Sequence, residues 1–529
     1  MAQADTTSSK PFRVIIVGAG IVGLSLSHAL QLAKIDHVVL ERYEKVKSVK
    51  GAALIIWPNV GRIFDQFGFL SKILETTTPV TTEYTRWPDG SVHMSRSTMD
   101  RLHQIFKVPP ILFDRQSCVA HLYDNLPDQS TVKLNKRVET IQHTDSCVRV
   151  ILTDGTVEEG DIVIGADGVH SVVRPQMWEY ANDFEPNVVP ESDKSALFSE
   201  YDALFGASDL KGHHEDYGMA AAESNIVYGQ GVTKLFFQQQ GQQFWVIIFK
   251  NKYTQPPKRY KPTEEDIESV AKQFSNVALN EKVKFKELWE SRTRAGLLAI
   301  EEGTLSQWHA GRIVLVGDSV HKMTPDLGIG ANIAIEDAVV LCNILNRELK
   351  DNRNRHLTAK ELKSMFAEYQ KERWNRAKSF TDLSGKVTRA NSYDSLMGRL
   401  FATRISPLMY ETQLTQLATA WAKAPMLDYA PVQTIDENAP GWLLAKKQEK
   451  TGVSTWLVYA GVGAALAILY GEEYQSRPEY FRGFHGQVSS TASSVRMLPV
   501  TSYVHVDFQR VSIVRDVILG LEISGTRDK

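Results

Sequence analysis

The chain has 529 residues, with 60 Lys and Arg against 62 Asp and Glu, a formal net charge of −2, and 43% apolar residues. This length exceeds what one hydrophobic core serves, so more than one domain is expected, while the neutral balance removes any bulk electrostatic case for nucleic acid or acidic partners. Cys118, Cys147 and Cys342 stand far apart without CxxC or Cys/His spacing, which argues against a disulfide framework and against a bound metal.

Met1 to Lys10 is polar and lacks the apolar core of a secretory signal. Val14 to Val17 reads as a buried strand, followed by Gly18-Ala19-Gly20-Ile21-Val22-Gly23, an apolar stretch with helical spacing, and Val38-Val39-Leu40-Glu41 as a second strand ending in an acid. In that order Gly18 permits the tight turn, Gly20 lets bare backbone approach a pyrophosphate, and Gly23 lets helix and strand pack closely. The helix N-terminus offers partial positive charge to the phosphates, and Glu41, 23 residues after Gly18, takes the ribose hydroxyls of an ADP group. A structural βα turn is the plainer reading, and the pattern alone does not separate FAD from NAD.

Val60 to Leu70 has helical spacing that ends near Gly68, and Tyr84, Trp87, Pro88, Asp89 and Gly90 mark a hairpin excursion within Val80 to Pro110. Arg115, after the apolar Ile111-Leu112-Phe113, reaches a phosphate or ribityl oxygen with its planar fork, or else serves as a surface ion-pair partner. A meander from Val132 to Thr153, with a turn at Asp154-Gly155, returns the chain to a buried strand over Gly160 to Gly165. That strand delivers Asp167-Gly168 into a turn opening a helix, where Asp167 orders backbone amides beside a cofactor or simply caps the helix.

The middle of the chain mixes strand-like segments (Glu200 to Phe205, Lys234 to Gln238, Phe244 to Phe249) with an acidic helix start at Thr263 to Asp266, as suits a β-rich substrate domain. There Tyr217, in a polar loop, is the candidate catalytic residue, bonding substrate or a proton relay; an ordinary surface tyrosine is the alternative. Arg312 to Gly317 reads again as parallel sheet. Asp318 at its end offers a carboxylate to ribityl hydroxyls, or belongs to turn chemistry alone. The loop Pro325 to Gly330 feeds a helix over about Gly330 to Leu349 whose first amides face a flavin's pyrimidine edge. His321 and Lys322 are assigned no role as bases.

Glu361 to Thr388 predicts a long amphipathic helix. Thr451 to Gly471 then runs for 21 residues without a charge, long enough for a bilayer core of ~30 Å. Trp456, Tyr459 and Tyr470 resemble interfacial anchors, and Lys446, Lys447 and Lys450 favour a catalytic body on the cytosolic side, for instance at the endoplasmic reticulum. A buried helix in a cytoplasmic protein is the alternative.

GAGIVG with Glu41, Phe113-Asp114-Arg115-Gln116-Ser117, GADGVHS from Gly165 to Ser171, and GDSVHKMTPDLGIGANIAIEDA from Gly317 to Ala338 together resemble the single-component FAD-dependent monooxygenases. The resemblance is closest to the fungal paxilline-epoxidase type of indole-diterpene and meroterpenoid pathways, and covers roughly residues 11–470. It implies an α/β fold with a Rossmann-like FAD-binding domain interwoven with a β-sheet substrate domain, plus C-terminal helices and the candidate membrane helix. On this reading residues 11–187 and 299–400 build the FAD-binding domain, 188–298 the substrate domain, 401–450 a helical region, 451–471 the membrane segment and 472–529 a tail of unknown structure.

The resemblance further implies noncovalent FAD contacted by Glu41, Arg115, Asp318 and Ala331, with Asp167 ordering cofactor and nicotinamide and NADPH or NADH as a transient co-substrate; the loop readings add Gly18, Gly20, Gly23 and Gly330 to the cofactor-binding set. A flavin C4a-hydroperoxide formed with O2 then passes one oxygen atom to an apolar, prenylated small molecule, epoxidising or hydroxylating it. No protein partner is inferable. Two competing readings are a soluble ring hydroxylase of a phenolic or carboxylated substrate, which needs a cationic clamp in the middle domain, and a non-catalytic flavin-binding redox sensor.

Overall fold

The runs Val14 to Val17, Val38 to Leu40, Ile162 to Ile164 and Ile313 to Leu315 are almost entirely Val, Ile and Leu, the text of strands buried on both faces. In the computed structural model, which describes residues 10–46, 53–184, 186–212, 217–229, 231–239, 241–256 and 261–446, they form the centre of one sheet. Its spatial order is His309–Ala310, Ile313–Leu315, Ile162–Gly165, Arg13–Val17, Asp36–Leu40, Val132–Lys133. All neighbours are parallel except the first pair. The helices Ile21–Ala33 and Gly330–Leu349 pack on one another and share the core of this sheet. The meander Val138–His143, Val148–Leu152, Val157–Gly160 is a separate three-stranded antiparallel sheet that leads into Ile162–Gly165.

A second sheet of eight strands is built chiefly from Phe198–Ser208, Gln242–Thr254, Val232–Gln239 and Arg292–Thr304. Strand periodicity divides its side chains cleanly. Ala207, Phe237 and Phe244 join the main core, whereas Leu204, Phe236 and Trp245 join a second core that includes Ala271, Phe274, Phe285 and Leu288 of the helices Glu264–Phe274 and Phe285–Glu290. The helix Glu264–Phe274 starts at a reciprocal capping box, Thr263 with Asp266. The hairpin Thr82–Arg86 and Val92–Arg96 does not stay with the first sheet: it adds two strands to the second through parallel pairing with Glu223–Val227.

The helix Ala359–Asn391, capped by Thr358 and Glu361, runs as a strut between the sheets. Near its start the Tyr369 hydroxyl donates to Leu315 O at 3.3 Å; near its end Arg389 pairs with Glu302 at 2.6 Å, and Asp394 accepts from Lys250 Nζ at 2.7 Å. The candidate membrane segment 451–471 and the tail 472–529 lie outside the described residues. Among the described residues no helix is long and apolar enough to cross a membrane.

Candidate functional site

Gly18 occupies φ +104°, and its N–H donates to Leu40 O at 2.8 Å. A Cβ there would stand 2.7 Å from Ala166 O, and one at Gly23 would stand 1.8 Å from Gly18 O, so the turn and the helix behind it are closed to any side chain. Gly20 differs: a Cβ would meet nothing within 4 Å. It caps the helix Ile21–Ala33 with no side-chain hydrogen bond, and so leaves the positive end of that helix facing open space. Glu41 is buried and secures the loop, accepting from Ala19 N at 2.8 Å and from Tyr43 N at 3.0 Å.

Gly18, Gly20, Glu41, Arg115 and Asp167 line one cleft of about 220 Å³, with Gln116, Arg42, Lys136 and Arg137 around it. Arg115 opens the helix Arg115–Asp124 directly after the strand Ile111–Asp114, which fixes its position at the rim. Asp167 Oδ2 accepts from Val172 N at 2.6 Å and Val173 N at 3.2 Å. Its Oδ1 is buried without a partner, and so is Gln116 Nε2 in the same wall. Burial pushes the Asp167 carboxyl above its ordinary range, against hydrogen bonds from Ser171, Val172 and Val173. A bare glycine, an uncapped helix start, an orphaned acceptor and an orphaned donor around one cleft fit a nucleotide with phosphate and hydroxyl groups.

The Asp318 turn sits at the neighbouring strand end. A Cβ at Gly317 would lie 3.1 Å from Val22 of the first helix and 3.0 Å from Ala334 of the helix Gly330–Leu349. Asp318 pairs with Lys322 and is a third exposed. Gly330 and Ala331 begin the helix, after Gly328 at φ +60°. These three residues do not line the cleft of Gly18, Glu41 and Arg115; they stand at the adjoining edge of the same sheet.

Two residues that hold this loop were in the quoted run but had no assigned role. Asn332 accepts from Trp57 N at 2.9 Å and donates to Ile55 O at 2.8 Å. Asp337 accepts from Gly317 N at 3.0 Å, from Arg373 Nε at 2.8 Å, and bonds His321 Nε2 at 2.6 Å. The available signal was a polar residue inside an otherwise apolar helix, since buried polar groups need partners. His321 is therefore a buried structural partner of Asp337, its ring 5.6 Å from that of Trp308 and tilted to it by 46°. Tyr217 does not reach the cleft. Its ring packs against the second core with Met219 and Leu279, on the side of the sheet turned away from the main core, and its carbonyl accepts from Asn280.

Residues 12–384 match the family described as "FAD binding domain". The FAD-dependent monooxygenase esdpE of Penicillium shearii is 36% identical over 435 residues, 81% of this chain and 88% of that protein. The FAD-dependent monooxygenase atmM of Aspergillus flavus is 33% identical over 452 residues, 84% of this chain and 92% of that one. Among solved structures, Klebsiella pneumoniae HpxO complexed with FAD and uric acid superposes with a TM-score of 0.60 at 20% identity, covering 80% of this chain and all of that one. A salicylate hydroxylase substrate complex gives 0.59 at 18% identity, over 84% and 100% of the two chains.

Fold and cleft thus define an α/β flavoprotein with mixed sheets and helices. The chain belongs to the FAD-dependent monooxygenases: it is an oxidoreductase that binds FAD and draws on NAD(P)H.

Proposed function

We propose that this monooxygenase epoxidises or hydroxylates an apolar, prenylated natural product of meroterpenoid or indole-diterpene type. The observation that carries the proposal is the wall between the two sheets. Ala207, Phe237 and Phe244 of the second sheet are buried there in the main apolar core, and Arg294, the cation beside Phe244, is committed to Asp114 at 2.6 Å. A guanidinium already paired is a poor clamp for a substrate carboxylate, which disfavours the ring-hydroxylase reading.

On this proposal FAD supplies the oxygen-activating chemistry, and the chain's own residues bind, orient and exclude water. Gly18 and Gly23 form the tight turn and its packing, Gly20 admits the pyrophosphate, Glu41 and Asp167 accept from hydroxyls, and Arg115 offers its fork to phosphate or ribityl oxygen. Asp318, Gly330 and Ala331 hold the far end of the cofactor, where the first amides of the helix Gly330–Leu349 favour negative charge. The uncharged run 451–471 anchors the protein in a bilayer with its catalytic body in the cytosol; its length and the three lysines before it support that reading.

The test is incubation of the purified full chain with NADPH, O2 and candidate prenylated scaffolds. A product heavier by one oxygen atom, formed in step with NADPH consumption, is expected. Oxidation of NADPH that ends only in peroxide for every such scaffold, with turnover of a phenolic acid instead, overturns the substrate assignment.

A further inference from the structure

After the long helix ends, the chain enters a stretch of unusual surface chemistry. Ser395 to Met409 reads SLMGRLFATRISPLM: it contains Arg399 and Arg404 but no Asp or Glu. It is helical almost throughout, as Leu396–Leu400, a π-turn over Phe401–Ile405, and Ser406–Leu408. Ala402 and Thr403 face inward and are buried, and Thr403 Oγ1 donates to Arg399 O at 2.8 Å. The outward face carries Leu396 at 69% exposure and Leu408 at 86%, with Met397 beside them.

Single exposed leucines need no explanation, but three large apolar side chains on one short element, flanked by cations and free of acids, do. Arg399 lies over the Tyr393 ring at 5.5 Å, and neither Arg399 nor Arg404 is paired with a carboxylate among the described residues. Apolar side chains on one face with unpaired arginines beside them are the composition of a helix that lies in the headgroup layer of an anionic bilayer.

We infer that Ser395 to Met409 is a lipid-docking element, its leucines entering the acyl boundary and its arginines meeting anionic headgroups. This contact is distinct from the 451–471 segment; lipid binding does not depend on the substrate assignment, and only its use in substrate delivery rests on that proposal. Its position gives it a use. Just before it, Asn391 Nδ2 donates to Asp326 in the loop that precedes the helix Gly330–Leu349, at 3.3 Å, and Tyr393 packs edge-on to Tyr228 at 6.2 Å. The element is thus tied to the loop at the proposed flavin site and to the substrate sheet, so a substrate dissolved in lipid meets the protein close to where it is used.

The test uses the full-chain holoenzyme carrying Cys147→Ser, with an environment-sensitive fluorophore on Leu408→Cys or, as control, on Lys272→Cys. Vesicles of phosphatidylcholine with phosphatidylglycerol, and of phosphatidylcholine alone, are compared. At Leu408→Cys the emission should shift to the blue and be quenched by brominated acyl chains, more strongly with the anionic lipid; the control should stay aqueous. Adding Leu396→Asp should cut the lipid-quenched fraction roughly tenfold, as the loss of one buried leucine side chain requires, with flavin content unchanged. A Leu408→Cys label that stays in water while the protein sediments with the vesicles overturns the inference. So does a blue shift that appears without lipid and grows with protein concentration, which assigns the face to a second copy of the chain.

Discussion

Asn332, in the first turn of the helix Gly330–Leu349, donates to the carbonyl of Ile55, 277 residues earlier in the chain. The same side chain accepts from Trp57 N and donates to Gly328 O at 3.0 Å, so one amide closes the C-terminal end of the short strand Ala53–Ile56 onto the turn after Pro325–Leu327 and the helix that follows. A single side chain thus ties this strand to the edge of the proposed flavin site. Asn332→Leu would take this partner from three backbone groups, Trp57 N, Ile55 O and Gly328 O, at about 1–3 kcal/mol for each left unpaired. Thermal unfolding of the apoprotein should drop by several degrees, and flavin should be lost on gel filtration. A variant that keeps both its melting temperature and its colour would show that Asn332 secures nothing.

The second and third glycines of the loop should behave differently from each other. At Gly20 the fold has room for a methyl group, but that room is the cleft; at Gly23 a methyl would overlap Gly18 O. Gly20→Ala should leave the apoprotein's stability near wild type and reduce the flavin-to-protein absorbance ratio. Gly23→Ala should lower both, because packed backbone must move, at about 1–3 kcal/mol or more. Equal loss of stability in the two variants would contradict this division of roles.

Much of this site was readable because its parts are local. The bounds Gly330 and Leu349 are as the sequence predicts, since glycines before an apolar helical run leave little freedom in where the helix starts. The long helix extends to Ala359 and Asn391, beyond the predicted Glu361 and Thr388, because its capping box lies outside its apolar spacing. What could not be read was non-local. The hairpin Thr82–Arg96 pairs with Glu223–Val227, a partner more than a hundred residues away that no local pattern names. Tyr217 is a loop residue as the sequence suggests, but its packing against the second core is a non-local contact that the loop's polar text does not reveal. Asp337 and Asn332 resembled ordinary polar residues until their buried partners were in place.

Histidine burial sets a pH dependence. His28 is held to a pKa of about 4 by burial, against a bond to Leu122 O at 2.8 Å, and its ring stacks on Phe67 at 4.8 Å. Because the folded value lies below the unfolded one, the unfolded chain binds more protons between them. Stability is therefore full above the ordinary histidine value and is lost progressively as pH falls toward 4. The loss is a few kcal/mol, at ~1.4 kcal/mol per unit. Denaturant midpoints across this range should fall in the wild type and fall less in His28→Gln, which has no proton to take up. Parallel curves for the two proteins would assign the acid sensitivity elsewhere.

The Asp337 cluster titrates in the same direction for the opposite reason, its partners rather than its burial. Burial pushes this carboxyl upward, but the charges and hydrogen bonds of His321 and Arg373 outweigh it and hold the group below its ordinary value. A depressed carboxylate contributes stability that is present above the unfolded value and is lost as pH falls through the folded one. Asp337→Asn leaves Arg373 with Glu336 alone, at 3.0 Å, and weakens the grip on Gly317 N. Breaking a buried pair costs about 3–5 kcal/mol, and the remaining Glu336 places the expected loss at the lower end of that range. Melting temperatures at neutral pH should therefore separate wild type from Asp337→Asn. The gap should narrow as pH falls below the ordinary aspartate value, where the unfolded chain takes up a proton that the folded carboxylate still refuses. A gap of constant size down to strong acid would mean that shape rather than charge makes Asp337 necessary.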